Sequence, residues 1–254
     1  MSYLRNPLAW HKRYVEGVYD MPSGPASFVG RAGHLALEHF YNGIEKQTAI
    51  DSGLDYLHRV PDFEIEFGKA ETKVARKKKR VEMEKEYLKA IGFYLARPPK
   101  HKVLGVELRA VAKIKGLSLP VKAISDLVVE SKLDKGAVDI VDHKFVSFFS
   151  AGVDKPLFAL QAIFNYYTVL AAFKKPVRQF IVYECKRRKN KDGTSQMRKH
   201  TYDFTENEQD FAVFHRLLKD ASADIADRRI YLPNPSDMFE GKNSFEVYRL
   251  GLVE

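Results

Sequence analysis

The sequence predicts a mixed α/β chain of the α+β kind, in which a helical N-terminal part leads into a sheet-containing core. Apolar residues recur at helical spacing through much of the first hundred positions. From about residue 101, β-branched segments of strand length follow one another. No internal repeat or low-complexity linker separates the two parts. The chain is therefore read as one domain over residues 1–254, with a mainly helical part (1–100), a core (101–230) and an irregular tail (231–254) that carries Pro233 and Pro235.

The elements are expected in this order. A first helix runs from about Pro7 to Glu16, and Met21-Pro22-Ser23-Gly24-Pro25 breaks the chain after it. A second starts near Val29 and carries His34, Leu37, Glu38 and Tyr41 on one face. The longest helical segment spans about Phe63 to Ala96, with a buried stripe expected at Phe67, Val74, Val81, Leu88 and Leu95, and Arg97-Pro98-Pro99 stops it. Strands follow in VLGVELRAVAKI, LSLPVKAISDLVVE and GAVDIVDHKF, then a helix over Pro156–Phe173, then strands in RQFIVYECKR and MRKHTYDF. Thr205 and Glu208 read as a capping box opening a last amphipathic helix.

Composition narrows the class of molecule. The 254 residues carry 42 Lys+Arg against 33 Asp+Glu, a net charge of +9, which favours a polyanionic partner. The single cysteine, Cys185, rules out an intramolecular disulfide and any four-cysteine metal site built from this chain alone, and reads as a small buried strand residue. No apolar run approaches the roughly 20 residues that cross a bilayer, and the N-terminus has no apolar signal core, so a membrane role is not expected. No Gly-x-x-x-x-Gly-Lys-Ser/Thr phosphate loop is present, so the chain carries no helicase motor.

One cluster carries chemistry. Asp126 ends the strand VKAISD, and Asp142-His143-Lys144 ends the next, so both acids and the lysine are expected near matching strand ends. Two carboxylates suit a hard divalent cation such as Mg²⁺, which prefers oxygen ligands. Such a cation acidifies water and neutralises charge growing on a phosphate. Lys144 would orient or deprotonate the attacking water, or stabilise the transition state. The plain alternative is a surface ion pair between Asp142 and Lys144 contributing almost nothing, which the largely hydrophobic run Ala137–Val141 argues against.

Taken together, Gly30, His34 and Glu38 on a helix, Glu107 in VELRA, Asp126 in AISD, Asp142-His143-Lys144 and Gln161 in LQAIFNYY resemble, in type and order, the RecB-type nucleases of the PD-(D/E)xK superfamily over roughly residues 30–170. The resemblance implies a restriction-endonuclease-like core, a central mixed sheet flanked by helices. It implies Mg²⁺ or Mn²⁺ held by His34 Nε2, Asp126, Asp142 and the main-chain carbonyl of His143, with Lys144, Asp142, Asp126 and Glu107 as the catalytic set. Glu107 would hold a water or a second ion, Glu38 would orient His34 or meet the substrate, and Gln161 would contact a phosphate or base. Three departures stand out. Ala123 replaces a glycine, Phe145 follows the lysine where a small polar residue is common, and Asn165 occupies the position of a tyrosine, a role read as displaced to Tyr166 or Tyr167. The cysteines of iron–sulfur relatives are absent, so no such cluster is expected.

The implied activity is a metal-dependent deoxyribonuclease, an exonuclease acting on single-stranded or duplex DNA ends in recombination, repair or replication. It would work in the cytoplasm of a bacterial or phage-infected cell, with recombination or replication proteins as partners. A structure-specific or restriction-like endonuclease, and an inactive DNA-binding protein of the same fold, stay open as alternatives. Six of the eight positions in Lys73–Arg80 are basic, and Lys77, Lys78 and Arg80 are read as phosphate contacts, or as a solvated helix face. Trp10, Tyr14 and Tyr19 could stack on unpaired bases, although core packing is the expected role for at least two of them.

Overall fold

The structure, a computed structural model, describes residues 3, 6–18, 22–150 and 155–227. Among these are six α-helices and five strands: α1 Pro7–Tyr14, α2 Pro25–Tyr41, α3 Lys46–Arg59, α4 Lys73–Ala96, β1 Val103–Ala112, β2 Val121–Glu130, β3 Val138–Val146, α5 Lys155–Phe173, β4 Val177–Lys186, β5 Met197–Asp203 and α6 Glu208–Ala226. They fall into two compact units, a larger one (Pro22–Ala112 with Val121–Glu208) and a smaller one (Met1–Met21, Lys113–Pro120 and Gln209–Glu254). The expected tail and Tyr19 lie outside the described residues.

In the larger unit the strands form one sheet in the order β1-β2-β3-β4-β5. The β1–β2, β2–β3 and β4–β5 pairs are antiparallel, and β3–β4 is parallel. Parallel neighbours need a crossover, and α5 supplies it. One face of the sheet, through Leu127, Val129, Val141, Ile181, Tyr183 and Cys185, is buried with Phe28, Ala32 and Leu37 of α2, Ile50 and Leu57 of α3, and Tyr87, Ile91 and Tyr94 of α4. α5 packs against β1, β2 and β4. In the smaller unit, Trp10 of α1 meets Tyr3 edge-on with ring centroids 5.3 Å apart, and Ser118 Oγ lies 3.3 Å from Ser222 Oγ.

Local chemistry sets the helix starts. Asn6 Oδ1 accepts from Ala9 N, Glu45 Oε2 from Thr48 N and Thr72 Oγ1 from Ala75 N, while Pro7 and Pro25 sit in first turns where no amide donor is needed. α3 was not anticipated. Its buried residues are Ala49, Ile50, Gly53 and Leu57, a face too small to give a strong apolar period. That smallness lets α3 approach α4: a Cβ on Gly53 would lie 2.2 Å from Tyr87 Oη, which donates to Ile50 O at 2.6 Å.

Two expectations need correction. α4 begins at Lys73, preceded by a 3₁₀ turn at Asp62–Glu64, and its buried residues are Met83, Tyr87, Ala90, Ile91, Tyr94 and Leu95. Val74, Val81 and Leu88 of the expected stripe are exposed, Val74 by 81%. A strict seven-residue repeat drifts about 20° per repeat around a straight 3.6-residue helix, and no residue of the first turns of α4 is buried. At α6 the helix starts at Glu208, and the Thr205 hydroxyl donates to Asp203 Oδ1 rather than capping it.

Candidate active site

The site forms where the regular sheet gives way. The β2–β3 ladder ends at Leu127–Val141. One step further, the amide of His143 donates to the Asp126 side chain, with N to Oδ2 at 2.7 Å. The β1–β2 ladder likewise passes over Glu107, pairing Val106 with Leu127 and then Leu108 with Ser125. Glu107 adopts φ +46°, a left-handed conformation that costs a residue with a side chain on the order of 1–3 kcal/mol. Face alternation slips here. Ser125 and Leu127 should share a face, yet Leu127 joins the helical core while the Ser125 hydroxyl reaches α5, donating to Asn165 Oδ1 at 2.6 Å.

The slip turns Asp126 toward α2, where its Oδ2 lies 3.3 Å from His34 Nδ1. Ligand-capable atoms of His34, Glu107 and Asp126 lie within 4.8 Å of one another. Nδ1 is the imidazole nitrogen that faces Asp126. α2 gets close enough because of Gly33, where a Cβ would sit 2.3 Å from the Phe145 ring. The motif glycine Gly30 has open space around it, so packing demands Gly33 and not Gly30.

Beside this group stands a second one. Lys144 Nζ lies 2.7 Å from Asp142 Oδ2 and donates to Gln161 Oε1 at 3.0 Å, and Gln161 Nε2 donates to Asp142 Oδ1 at 2.5 Å. Gln161 is itself held, because Asn165 Nδ2 donates to its carbonyl at 2.9 Å while Asn165 Oδ1 accepts from Ser125. Asn165 thus stands where a tyrosine was expected and joins α5 to the residue next to Asp126. Tyr166 makes its ring contacts with Tyr167 and Phe204.

The electrostatics follow from crowding. Burial disfavours charge on His34, but the Asp126 carboxylate outweighs it and lifts the imidazole pKa to about 9. Burial also opposes the charge on Asp126, yet His34 and the hydrogen bonds from His143 and His34 hold it well below the ordinary carboxylate range. Burial, then the neighbouring Asp126 charge, push Glu107 up to about 7. The same two causes raise Asp142, against the pull of Lys144. Three mutually repelling carboxylates with an imidazole beside them make a donor set that a divalent cation fits, since it would relieve the repulsion that raises Glu107.

His143, between the two groups, keeps its Nδ1 3.5 Å from Asp126 Oδ2. Its ring lies between Tyr41 (centroids 6.0 Å apart) and Tyr183 (6.2 Å), and its Nε2 is 2.8 Å from Tyr94 Oη, so this buried imidazole belongs to the wall behind Asp126. On α4, Lys77 and Lys78 are exposed. Arg80 is engaged with its own fold, donating to Asp62 Oδ1, Leu57 O and Val60 O, and so ties α4 to the end of α3.

A family model described as the PD-(D/E)XK nuclease superfamily matches residues 1–238. The chain belongs to the PD-(D/E)XK nuclease superfamily. Among solved structures, a candidate exonuclease from Eubacterium rectale superposes with a TM-score of 0.57 at 11% identity, covering 91% of this chain and 77% of its own, which shows a shared fold. A second, SSO0001, gives a TM-score of 0.34 at 13% identity over 84% of this chain and 80% of its own. No curated protein matches the sequence. PD-(D/E)XK nucleases act with divalent metals, and His34, Glu107 and Asp126 form a possible metal site in this member. Among the described residues, no helix of this nuclease is long and apolar enough to cross a membrane.

The sequence pointed to every side chain in these two groups. It gave no sign of the Ser125–Asn165 clamp, because both are small polar residues with no motif of their own, nor of the Glu107 conformation.

Proposed function

We propose that this nuclease is a Mg²⁺- or Mn²⁺-dependent deoxyribonuclease that removes nucleotides from DNA ends, serving recombination, repair or replication in the cytoplasm. The observation that carries the reading is the pinned Lys144 ammonium, 2.7 Å from Asp142 and 3.0 Å from Gln161, beside the His34–Glu107–Asp126 cluster. Side chains of His34, Glu107 and Asp126, with Asp142 and the His143 carbonyl completing the set, would hold the metal. When bound, a divalent cation supplies Lewis acidity toward a phosphate oxygen and lowers the pKa of an attacking water.

The chain's own residues do the rest. Lys144, 2.7 Å from Asp142 Oδ2, is placed to stabilise negative charge growing on the phosphate. Gln161 fixes the ammonium and Asp142 in one arrangement, so little reorganisation is needed during reaction. The end-acting preference rests on the likeness to RecB-type nucleases and agrees with the name of the Eubacterium rectale neighbour. DNA as substrate follows from the superfamily and the net charge of +9.

The test compares end-labelled linear single-stranded DNA, linear duplex and covalently closed circles, each with Mg²⁺, Mn²⁺ or EDTA. Mononucleotides or short products from linear DNA only, and only with metal, are expected. Cleavage of closed circles would replace the exonuclease by an endonuclease, and cleavage in EDTA would end the metal-dependent reading.

A further inference from the structure

The segment that leaves β3 just after Lys144 is held at both ends and turns an aromatic ring to solvent between them. At one end the Arg187 guanidinium donates to Ser147 Oγ, and the Arg187 amide donates to Val146 O at 2.9 Å. At the other, the Ser150 amide donates to Glu184 Oε2 at 2.9 Å, the Ser150 hydroxyl donates to Glu184 Oε1, and Arg198 Nη1 donates to Ser150 O at 3.4 Å. Between them Phe148 is 82% exposed. Its neighbour Phe149 is capped by cations, with Arg198 Cζ 4.4 Å and Lys186 Nζ 5.5 Å from the ring centroid, both within cation–π range.

This place is next to the chemistry. Glu184 is the register partner of Lys144 on β3 and of Arg198 on β5, so Lys144, Glu184 and Arg198 form one rung across three strands. Ser150 folds back onto that rung. A ring left in water on a clamped loop that leaves β3 shortly after Lys144, next in the chain to a phenylalanine capped by Lys186 and Arg198, matches what an unpaired nucleotide offers: a flat base to stack and a phosphate to pair. Phosphates entering the site would also find Lys144 there.

We infer that Phe148 is a base-stacking platform for an unpaired nucleotide next to the scissile phosphate, with Lys186 and Arg198 on the adjoining phosphates, so that the enzyme works on single-stranded or frayed DNA ends. The inference rests on the nuclease reading above and adds strandedness to it. A protein partner on Phe148 is the competing occupant, which lacks the argument from the two cations on the neighbouring Phe149.

The test is an abasic scan. Fluorescently labelled single-stranded oligodeoxynucleotides, each with one abasic position at a different distance from the end, are titrated in EDTA with wild type, Phe148→Ala and Phe148→Trp, and binding is read by anisotropy. The exposed ring makes both variants compatible with the fold. Expected is a roughly 5- to 150-fold weaker affinity for Phe148→Ala on intact single strands, near-wild-type affinity for Phe148→Trp, and one abasic position that weakens wild type by a similar factor while adding nothing to Phe148→Ala. Wild-type affinity in Phe148→Ala, or losses that simply add at every abasic position, would overturn the inference and point to a different occupant. Cleavage by wild type is measured alongside with Mg²⁺ and Mn²⁺. Cleavage with unaltered Phe148→Ala binding removes only the stacking platform, whereas no cleavage of any DNA with either metal removes the nuclease reading and this inference with it.

Discussion

The two halves of the site are built on opposite principles. Asp142, Lys144 and Gln161 form a closed set in which the carboxylate meets an ammonium at 2.7 Å and an amide at 2.5 Å. His34, Glu107 and Asp126 form an open set, in which two carboxylates share one imidazole and Glu107 is pushed up to about 7 by burial and by Asp126. The closed half is rigid and internally balanced, as suits a group that must present charge in one place. The open half keeps unbalanced negative charge, as suits a group that takes up a cation. The difference arises from backbone geometry, since Asp142 and Lys144 keep regular pairing with β4 while Glu107 and Asp126 lie where the β1–β2 and β2–β3 ladders fail.

Breaking the open half should have the largest effect. Asp126→Asn removes the charge that pairs with His34 and should abolish cleavage of linear DNA. It should also lower the melting temperature, because a carboxylate held below its ordinary range stabilises the fold, while the circular dichroism of a folded chain is kept. Turnover at the wild-type rate would show that the open half is not catalytic. Breaking the closed half should act on turnover rather than on binding. Lys144→Ala is expected to lower kcat on the order of 100- to 1000-fold with little change in DNA affinity in EDTA. The opposite pattern would make Lys144 a binding residue.

Asn165→Ala sharpens the comparison by loosening the closed half without touching it. It removes one bond to the Gln161 carbonyl and leaves the buried Ser125 hydroxyl without its acceptor, which should cost about 1–3 kcal/mol in chemical denaturation. It should also lower kcat on the order of 10- to 100-fold, as loss of an outer partner does, with KM little changed. A stability loss alone would reduce Asn165 to a packing residue. On the outer face, Lys77→Gln with Lys78→Gln should flatten the salt dependence of DNA binding by up to roughly two units of slope and spare kcat, because Arg80 is already engaged with Asp62.

A carboxylate that belongs to neither half gives the pH control. Burial would raise Asp203, but the hydroxyl and amide of Thr205, with Arg178 and Gln179, lower it to about 2. Its pKa falls on folding, so its contribution to stability is full above the unfolded value of about 4 and is lost as the pH drops toward 2. Asp203→Asn should therefore destabilise at pH 6, and its gap to wild type in urea midpoint should narrow between pH 4 and 2.5. An unchanging gap would show that the charge of Asp203 is not what stabilises.

Much of this molecule was legible in its sequence, for physical reasons that differ by region. The strands showed because β3 and β4, buried on both faces, read as runs such as Ala137–Val141 and Phe180–Val182. α3 did not show, since Ala49 and Gly53 form a face whose worth lies in closeness to Tyr87 and not in apolar area. The Val74–Val81–Leu88 stripe misled because periodicity records spacing and not which face meets the core. In the site, Asp126, Asp142 and Lys144 were legible because charged residues within largely apolar strands are costly without a use, although the structure places Asp126 and Asp142 inside β2 and β3 and not at the strand ends expected from the sequence. The Glu107 conformation, the Ser125–Asn165 clamp and the engagement of Arg80 depend on contacts between elements far apart in the chain, which spacing along one element does not encode.

The contrast between an open half that takes a cation and a closed half that presents one is tested most directly by Mn²⁺ binding without DNA, followed by electron paramagnetic resonance of the free ion in wild type, Asp126→Asn and Lys144→Ala. The expected result is saturable binding by wild type, loss of that binding in Asp126→Asn and its retention in Lys144→Ala. Binding by Asp126→Asn that matches wild type would contradict the account.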